Sequence, residues 1–552
     1  MLLRSVRLEN FRAVKSARIS FDPTTLLIGE NDCGRSSIME AIALALGWNS
    51  KPGEFLLQPF HIHRSTDQVN STPPRISIAL EFGESAPGEW NGDGFAPLRE
   101  ALPEALRHSR RFWMEVLHDC SGTRWVFRWS GGGLLFNDQP MLCWLRRLMP
   151  VFWMRKGIAG ANQIDVGPGI WADEEARHLA EQVSRHYQDL LEGTAPDVSA
   201  AIEGGSAAAT KLLLEQAKLL PAHTTPLREV LEQITGKGST RSSVPATEPL
   251  PGSGTAAHKI GLLLLVGAIL RSGGARLGQG IHPLTLIENP EAHLHPMTLA
   301  SIWSVIDRIG GQKVIATHSG TLLACARLQS VRRLTRHAGI VKEWRVPRGA
   351  LTADELRRYS YHLRSRRASA SFARCWLLVE GETEFWLMGE LARVCGYDFA
   401  TEGVTCVEFA QCGLAALIKV ARHLGIEWHL LSDGDQAGRQ YAQSAGEYVG
   451  TGCVRDHISV LAEPDLEHCF WRYGYQDVFR KAAYPRDSEG EASQRKVAAK
   501  AVIRAAIERH SKPYMAVLLL DAAMERGSKG VPPVLRQVIE TCIRLARGAA
   551  GK

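Results

Sequence analysis

Eleven cysteines are scattered along the 552 residues, and no two stand at Cys-x-x-Cys spacing. That spacing excludes a zinc ribbon or a disulfide framework as the organising element and predicts reduced thiols buried in a core. Long apolar runs are also missing. The longest, around residues 260–270, falls well short of the ~18 residues a membrane span requires. The first residues carry Arg4, Arg7 and Glu9 where a signal peptide would be apolar, so a cytoplasmic protein without a membrane partner is expected. No internal repeat or long low-complexity tract is present, which sets solenoid architectures aside.

The length is too great for one ordinary core and predicts two or three domains. With 45% hydrophobic and 22% charged residues the composition is that of a soluble globular protein. The net charge of +7 is modest for this length. Its distribution says more. Between residues 327 and 367 twelve Lys or Arg face only Glu343, Asp354 and Glu355, a local excess of +9. Such a run suits a polyanionic substrate, although a solvated face or ion pairs within the protein would use the same residues.

Along the chain, residues 2–28 alternate like strands and end in the apolar Leu26-Leu27-Ile28. A helix over 36–44, capped by serine, should follow, with further strands at 76–82, 112–117 and 125–129. Leu179, Val183, Tyr187 and Leu190 stand at helical spacing and predict a helical insertion whose stripe is either core or a dimer surface. Residues 237–254 are rich in Ser, Thr, Pro and Gly and read as a loop. After the basic run, expected to be a connector, a new α/β unit begins near Phe372. From about residue 494, Ala-rich segments at 497–508 and 516–526 predict a helical cap.

Two acidic motifs stand in that second unit. Leu377-Leu378-Val379-Glu380-Gly381-Glu382-Thr383-Glu384 is an apolar strand that ends in a carboxylate, turns at glycine and brings a second acid about one helical turn on. Leu431-Ser432-Asp433-Gly434-Asp435 ends another strand in two more. Hard oxygen donors without Cys or His suit Mg²⁺ or Mn²⁺ and point to phosphate chemistry.

In the first unit, Gly29-Glu30-Asn31-Asp32-Cys33-Gly34-Arg35-Ser36 has phosphate-loop spacing between a buried strand and a helix, followed by Ser37. Backbone N–H groups there would surround the phosphates of ATP, with Ser36 placed for Mg²⁺. Arg35 stands where lysine is usual and keeps the charge on a bulkier planar fork. Leu284-Thr285-Leu286-Ile287-Glu288 delivers an acid, and Asn289-Pro290-Glu291-Ala292-His293-Leu294-His295 continues it. Thr317-His318-Ser319 offers a histidine to sense a γ-phosphate, and Ser253-Gly254-Thr255 begins a helix-like run. This order of motifs resembles ABC-type ATPases of the SMC and RecF-like kind. The resemblance implies a nucleotide sandwiched in a homodimer, reached by Ser253 from a partner. Many such enzymes place a catalytic carboxylate at the position of Asn289.

The Val-Glu-Gly-Glu-Thr-Glu and Ser-Asp-Gly-Asp pair is similar to the TOPRIM domain. Its fusion behind an ATPase with a helical insertion resembles the OLD (overcoming lysogenisation defect) family. The fold this implies is α/β: an ABC-type ATPase domain in two parts (1–165 and 237–368) around a helical dimerisation insertion (166–236), then a TOPRIM domain with a helical extension (369–552). The resemblance also implies a two-metal endonuclease acting on DNA. Glu380, Glu384, Asp433 and Asp435 match its acids, Glu467 is the candidate further acid, and Lys512 the candidate late lysine, with Lys529 competing. It further implies phage defence or DNA processing, sometimes beside a helicase. The alternative is a repair ATPase whose TOPRIM site only binds. Because Asn cannot act as a general base, ATP turnover is expected to be slow unless Glu291 substitutes, and Asn289→Glu to raise it by up to about a hundredfold. Rapid phosphate release by the wild type would overturn that expectation.

Overall fold

The computed structural model describes residues 1–47, 55, 57–63, 75–101, 110–129, 133–154, 164–166, 281–292, 299, 303–304, 306–307, 309–364, 367–450, 453–484 and 498–549. The predicted helical insertion, the 237–254 loop, Ser253-Gly254-Thr255, His293 and His295 lie outside them. The chain divides into two compact units, Met1–Glu343 and Trp344–Lys552.

In the first unit, the described residues form a sheet of thirteen strands. One wing is antiparallel. It is built from β1 (Leu2–Phe11), β2 (Val14–Ser20), β4 (Ile76–Gly83), β5 (Arg111–Asp119), β6 (Gly122–Trp129) and β7 (Leu134–Phe136), where β1 pairs β2 and β4, and β5 pairs β4 and β6. Val6 and Leu8 are buried while Arg7 and Glu9 face outward, the period-two pattern of a sheet with one wet face. The other part is parallel: β3 (Thr24–Gly29) lies between β12 (Val331–His337) and β11 (Gln312–Ala316). Next come β10 (Leu284–Glu288) and β8 (Val151–Met154), and β9 (Ile164–Val166), antiparallel to β8, closes that edge. These strands are nearly continuous in burial, as a sheet covered on both faces demands.

The basic run is not a connector throughout. Residues 331–337 form β12, and β13 (Ile340–Trp344) pairs with β2. Arg332 and Arg333 are buried, and Arg332 reaches Asp22 at 2.7 Å and Glu343 at 3.1 Å. Neighbours in one strand, the two arginines leave opposite faces of the sheet, and both are buried rather than presented to a polyanion. The expected serine cap is also corrected. The helix after β3 spans Arg35–Ala45, its N-cap is Gly34 in the left-handed region (φ 98°), and Ser36 lies inside the first turn.

The second unit holds four parallel strands in the order β15 (Val404–Glu408), β14 (Cys375–Val379), β16 (Glu427–Ser432), β17 (Ile458–Val460). Helices Glu382–Val394, Leu414–His423, Gln436–Gly446 and Leu466–Arg472 follow β14, β15, β16 and β17. The Ala-rich cap forms helices Ala499–His510 and Lys512–Arg526. A third helix, Pro533–Ala549, lays Leu535, Val538, Ile539, Cys542 and Ile543 against β14 and β16.

His429 is fully buried in β16, with Nδ1 2.8 Å from the Asp456 carbonyl and Nε2 3.0 Å from Ser459 Oγ. Burial lowers its pKa to about 4. Above pH 6.5 the imidazole is neutral in both folded and unfolded chains. Between 6.5 and about 4 the unfolded chain takes up the proton and the folded one does not, so stability falls as pH falls. The loss attributable to this residue is about 3 kcal/mol by pH 4. Thermal melts of wild type and His429→Gln across this window should diverge at neutral pH and converge toward pH 4; a constant gap would refute the assignment.

Candidate active site and nucleotide-binding loop

Parallel strands deliver their following loops to one edge. At that edge of the second unit, Glu380 follows β14, Asp433 and Asp435 follow β16, and Asp465 and Glu467 lie just beyond β17. Glu384 sits in the first turn of the Glu382–Val394 helix, and its Oε2 accepts the Gly381 N–H at 3.1 Å. Asp435 caps the Gln436–Gly446 helix by accepting the Gly438 N–H at 2.7 Å. Asp465 does the same for the next helix, accepting from His468 N–H at 2.8 Å, and the His468 Nδ1 lies 2.7 Å from the same oxygen.

The electrostatics show that these groups share one field. Burial, then the charges of Glu384, Glu380, Asp465 and Glu467, raise the Asp433 pKa to about 7. Burial, Asp435 and Glu384 raise Glu380, against an opposing pull from Lys512. Burial raises Glu467, again with Lys512 opposing. The Lys512 Nζ lies 3.7 Å from Glu467 Oε1. Burial alone would lower the lysine's pKa, but Glu467, Asp465, Glu384 and Asp433 together raise it.

Glu380, Glu384, Asp433, Asp435, Glu467 and Lys512 are thus gathered at one place. Lys529 lies on the short turn Ser528–Gly530. Asp465 and His468 were passed over in the sequence, although the Asp-x-x-His spacing after a strand carries the helix-cap signal that joins them. The donor set is carboxylate only and suits a hard divalent cation. Among the described residues, no three His, Cys, Asp or Glu side chains converge into a ready-made metal cage.

In the first unit the loop after β3 carries Asp32 and Gly34 at positive φ (64° and 98°) and leads into the Arg35–Ala45 helix. Gly29 and Gly34 border this loop, Asn31 lies within it, and Ser37 is buried in the first turn of the helix. Ser36 Oγ is 3.5 Å from Glu288 Oε2, and Trp153 Nε1–H donates to the other Glu288 oxygen at 3.2 Å. Arg35 Nη1 donates to the Thr317 carbonyl at 2.8 Å, and Nη2 lies 2.6 Å from His318 Nε2. Glu291 is engaged on both oxygens, by the Thr317 hydroxyl at 3.0 Å and the His318 N–H at 2.6 Å. A base taken from Glu291 would have to break both bonds. Asn289 adopts φ 45°, a conformation that asparagine tolerates better than longer acids.

The family model described as protein of unknown function (DUF2813) matches residues 1–370. The chain belongs to the DUF2813 family. A second match, to the TOPRIM domain of overcoming lysogenization defect-like proteins, covers residues 372–435 of this DUF2813 member and includes both acidic motifs. The chain is 32% identical over 568 residues to the uncharacterized protein YbjD of Escherichia coli K12, covering 100% of both. A stretch of 129 residues is 30% identical to the DNA double-strand break repair Rad50 ATPase of Archaeoglobus fulgidus, covering 23% of this chain and 12% of that one. Among solved structures, an SMC head bound to the C-terminal winged-helix domain of ScpA covers 63% of this chain and 99% of its own at 12% identity and a TM-score of 0.39. The C-terminal region of the Burkholderia pseudomallei OLD protein covers 32% of this chain and 99% of its own at 18% identity and a TM-score of 0.28.

Within the TOPRIM part of the DUF2813 chain, two glycines set how closely the acids can gather. A Cβ at Gly434 would overlap the Leu461 and Glu463 carbonyl oxygens, and one at Gly438 would overlap the Asp433 carbonyl. Gly446, near the end of the same helix as Gly438, has open space. Gly438→Ala is therefore expected to destabilise the protein by about 2 kcal/mol or more. Gly446→Ala should be neutral or stabilising by up to about 1 kcal/mol. Denaturant unfolding of the two variants checks this, and equal midpoints would contradict the close packing of Gly438 on Asp433.

Proposed function

We propose that this protein is a metal-dependent DNA endonuclease whose TOPRIM unit cuts and whose N-terminal unit binds ATP with Mg²⁺. The observation that carries the reading is the convergence of strand-end acids beside Lys512, where burial and then the charges of Glu384, Glu380, Asp465 and Glu467 lift Asp433 to about 7. Glu380, Glu384, Asp433 and Asp435, with Glu467 beside them, would hold one or two Mg²⁺ or Mn²⁺ ions. A divalent cation there supplies a water nucleophile at neutral pH and offsets charge on the scissile phosphate. Lys512 adds a fixed positive charge toward the same phosphate. Gly381 orients Glu384, and the cap bond to Gly438 orients Asp435. On the nucleotide side, Gly29 to Ser37 would cradle phosphates, with Glu288 beside Ser36 and His318 at the end of β11. Homodimerisation through the nucleotide, a helicase partner, a cytoplasmic location and a role in phage defence belong to the same reading and rest on the family resemblance.

A second reading is a repair ATPase whose TOPRIM unit binds DNA without cutting it. Plasmid nicking with Mg²⁺ or Mn²⁺, with and without ATP, separates the two. Wild type should nick, and Glu380→Ala and Asp433→Ala should each lose on the order of a hundredfold or more. Cutting that persists in both variants would reject this site, and retained DNA binding without any nicking by the wild type would favour the second reading.

A further inference from the structure

Arg35 is a cation held among neutral partners. It is only 8% exposed, and its guanidinium meets the Thr317 carbonyl and the His318 ring. Neither partner carries a compensating negative charge. A buried guanidinium satisfied only by neutral acceptors keeps part of its desolvation cost. An anion arriving at the start of the Arg35–Ala45 helix would supply the missing charge, because no side chain caps that helix end and its dipole is favourable.

The opposite side of the contact is pinned. Glu291 holds the His318 backbone N–H and the Thr317 hydroxyl, and Thr317 N–H donates to the Leu27 carbonyl at 3.1 Å. The 317–318 backbone is therefore braced by β3 and by the turn after β10, and the freer partner is the Arg35 side chain. His318 Nε2 and a phosphate oxygen compete for the same guanidinium N–H groups.

We propose that the Arg35–His318 contact is a latch opened by the phosphates of a nucleoside di- or triphosphate: Arg35 leaves the imidazole for the anion, and only then is His318 free. The proposal deepens the nucleotide-binding reading of the phosphate loop and rests on it. While the latch is closed, the binding-competent fraction is reduced, and so is apparent affinity.

The test is equilibrium titration of the full chain with a fluorescent ADP analogue and Mg²⁺. ADP is chosen because it lacks the γ-phosphate that a histidine sensor would touch. His318→Ala removes the competing acceptor and should bind about five- to tenfold more tightly than wild type. His318→Gln retains a side-chain acceptor and should bind more weakly than His318→Ala, and Arg35→Ala should bind more weakly than either. Wild-type binding with His318→Ala unchanged or weaker overturns the latch and leaves the phosphate-loop reading standing. Unchanged binding by Arg35→Ala also overturns the latch. Absence of binding by wild type and every variant overturns the phosphate-loop reading and the latch together.

Discussion

Parallel pairing is the constraint on which both candidate sites depend. A strand that hydrogen-bonds to parallel neighbours on each side must end where they end, so whatever residues follow the strands are brought to a common edge. In the second unit β14 is paired to β15 and β16 in register, and Glu380 and Asp433 follow from that pairing. In the first unit β11 lies between β3 and β10, which brings Arg35, Glu288 and His318 into reach of one another. Neither cluster is held by a disulfide. Each is a consequence of backbone register, and register in turn is enforced by the apolar side chains on both faces.

What parallel pairing gathers, electrostatics resists. Several carboxylates at one edge repel, and burial adds to the cost of each charge; the raised pKa values of Glu380, Asp433 and Glu467 record that opposition. The fold counters it in two ways. Lys512 enters from the helical extension with opposite charge, and helix starts take up carboxylate oxygens at Gly381, Gly438 and His468. The close approach of the loops then requires glycine at 434 and 438, where any side chain would meet a carbonyl oxygen. The glycines in the acidic motifs are thus packing residues as much as turn residues.

Much of this was legible in the sequence. Continuous apolar runs ending in an acid identified β10, β14 and β16, because a doubly covered parallel strand needs such a run. The Ala-rich segments after residue 494 became helices within a few residues of the expected bounds. The basic run was harder to read, because positive charge suggests solvent, yet Arg332 is buried against Asp22 and Glu343, which lie 310 residues before it and 11 after. Local sequence cannot announce so distant a counter-charge as Asp22. The same holds for Arg35, whose partners are almost three hundred residues away. Asp465 and His468 were missed for a different reason: a single cap pair looks the same at any helix start, and only the neighbouring acids give it a role.

Asn289 shows how a magnitude can decide between two accounts of one residue. Its positive φ offers a backbone reason for asparagine, since a longer acid there would be strained. That strain is worth about 1–2 kcal/mol. Losing a general base costs a factor of about 10² to 10⁴ in rate, which is about 3 to 5 kcal/mol of barrier. The backbone penalty is the smaller of the two, so the turn geometry alone does not require a neutral residue at 289. The neighbouring acid does not restore the function either, because Glu291 has both oxygens committed to Thr317 and His318. On the proposed reading, the first unit would answer nucleotide by rearranging Arg35 and His318 more readily than by hydrolysing it.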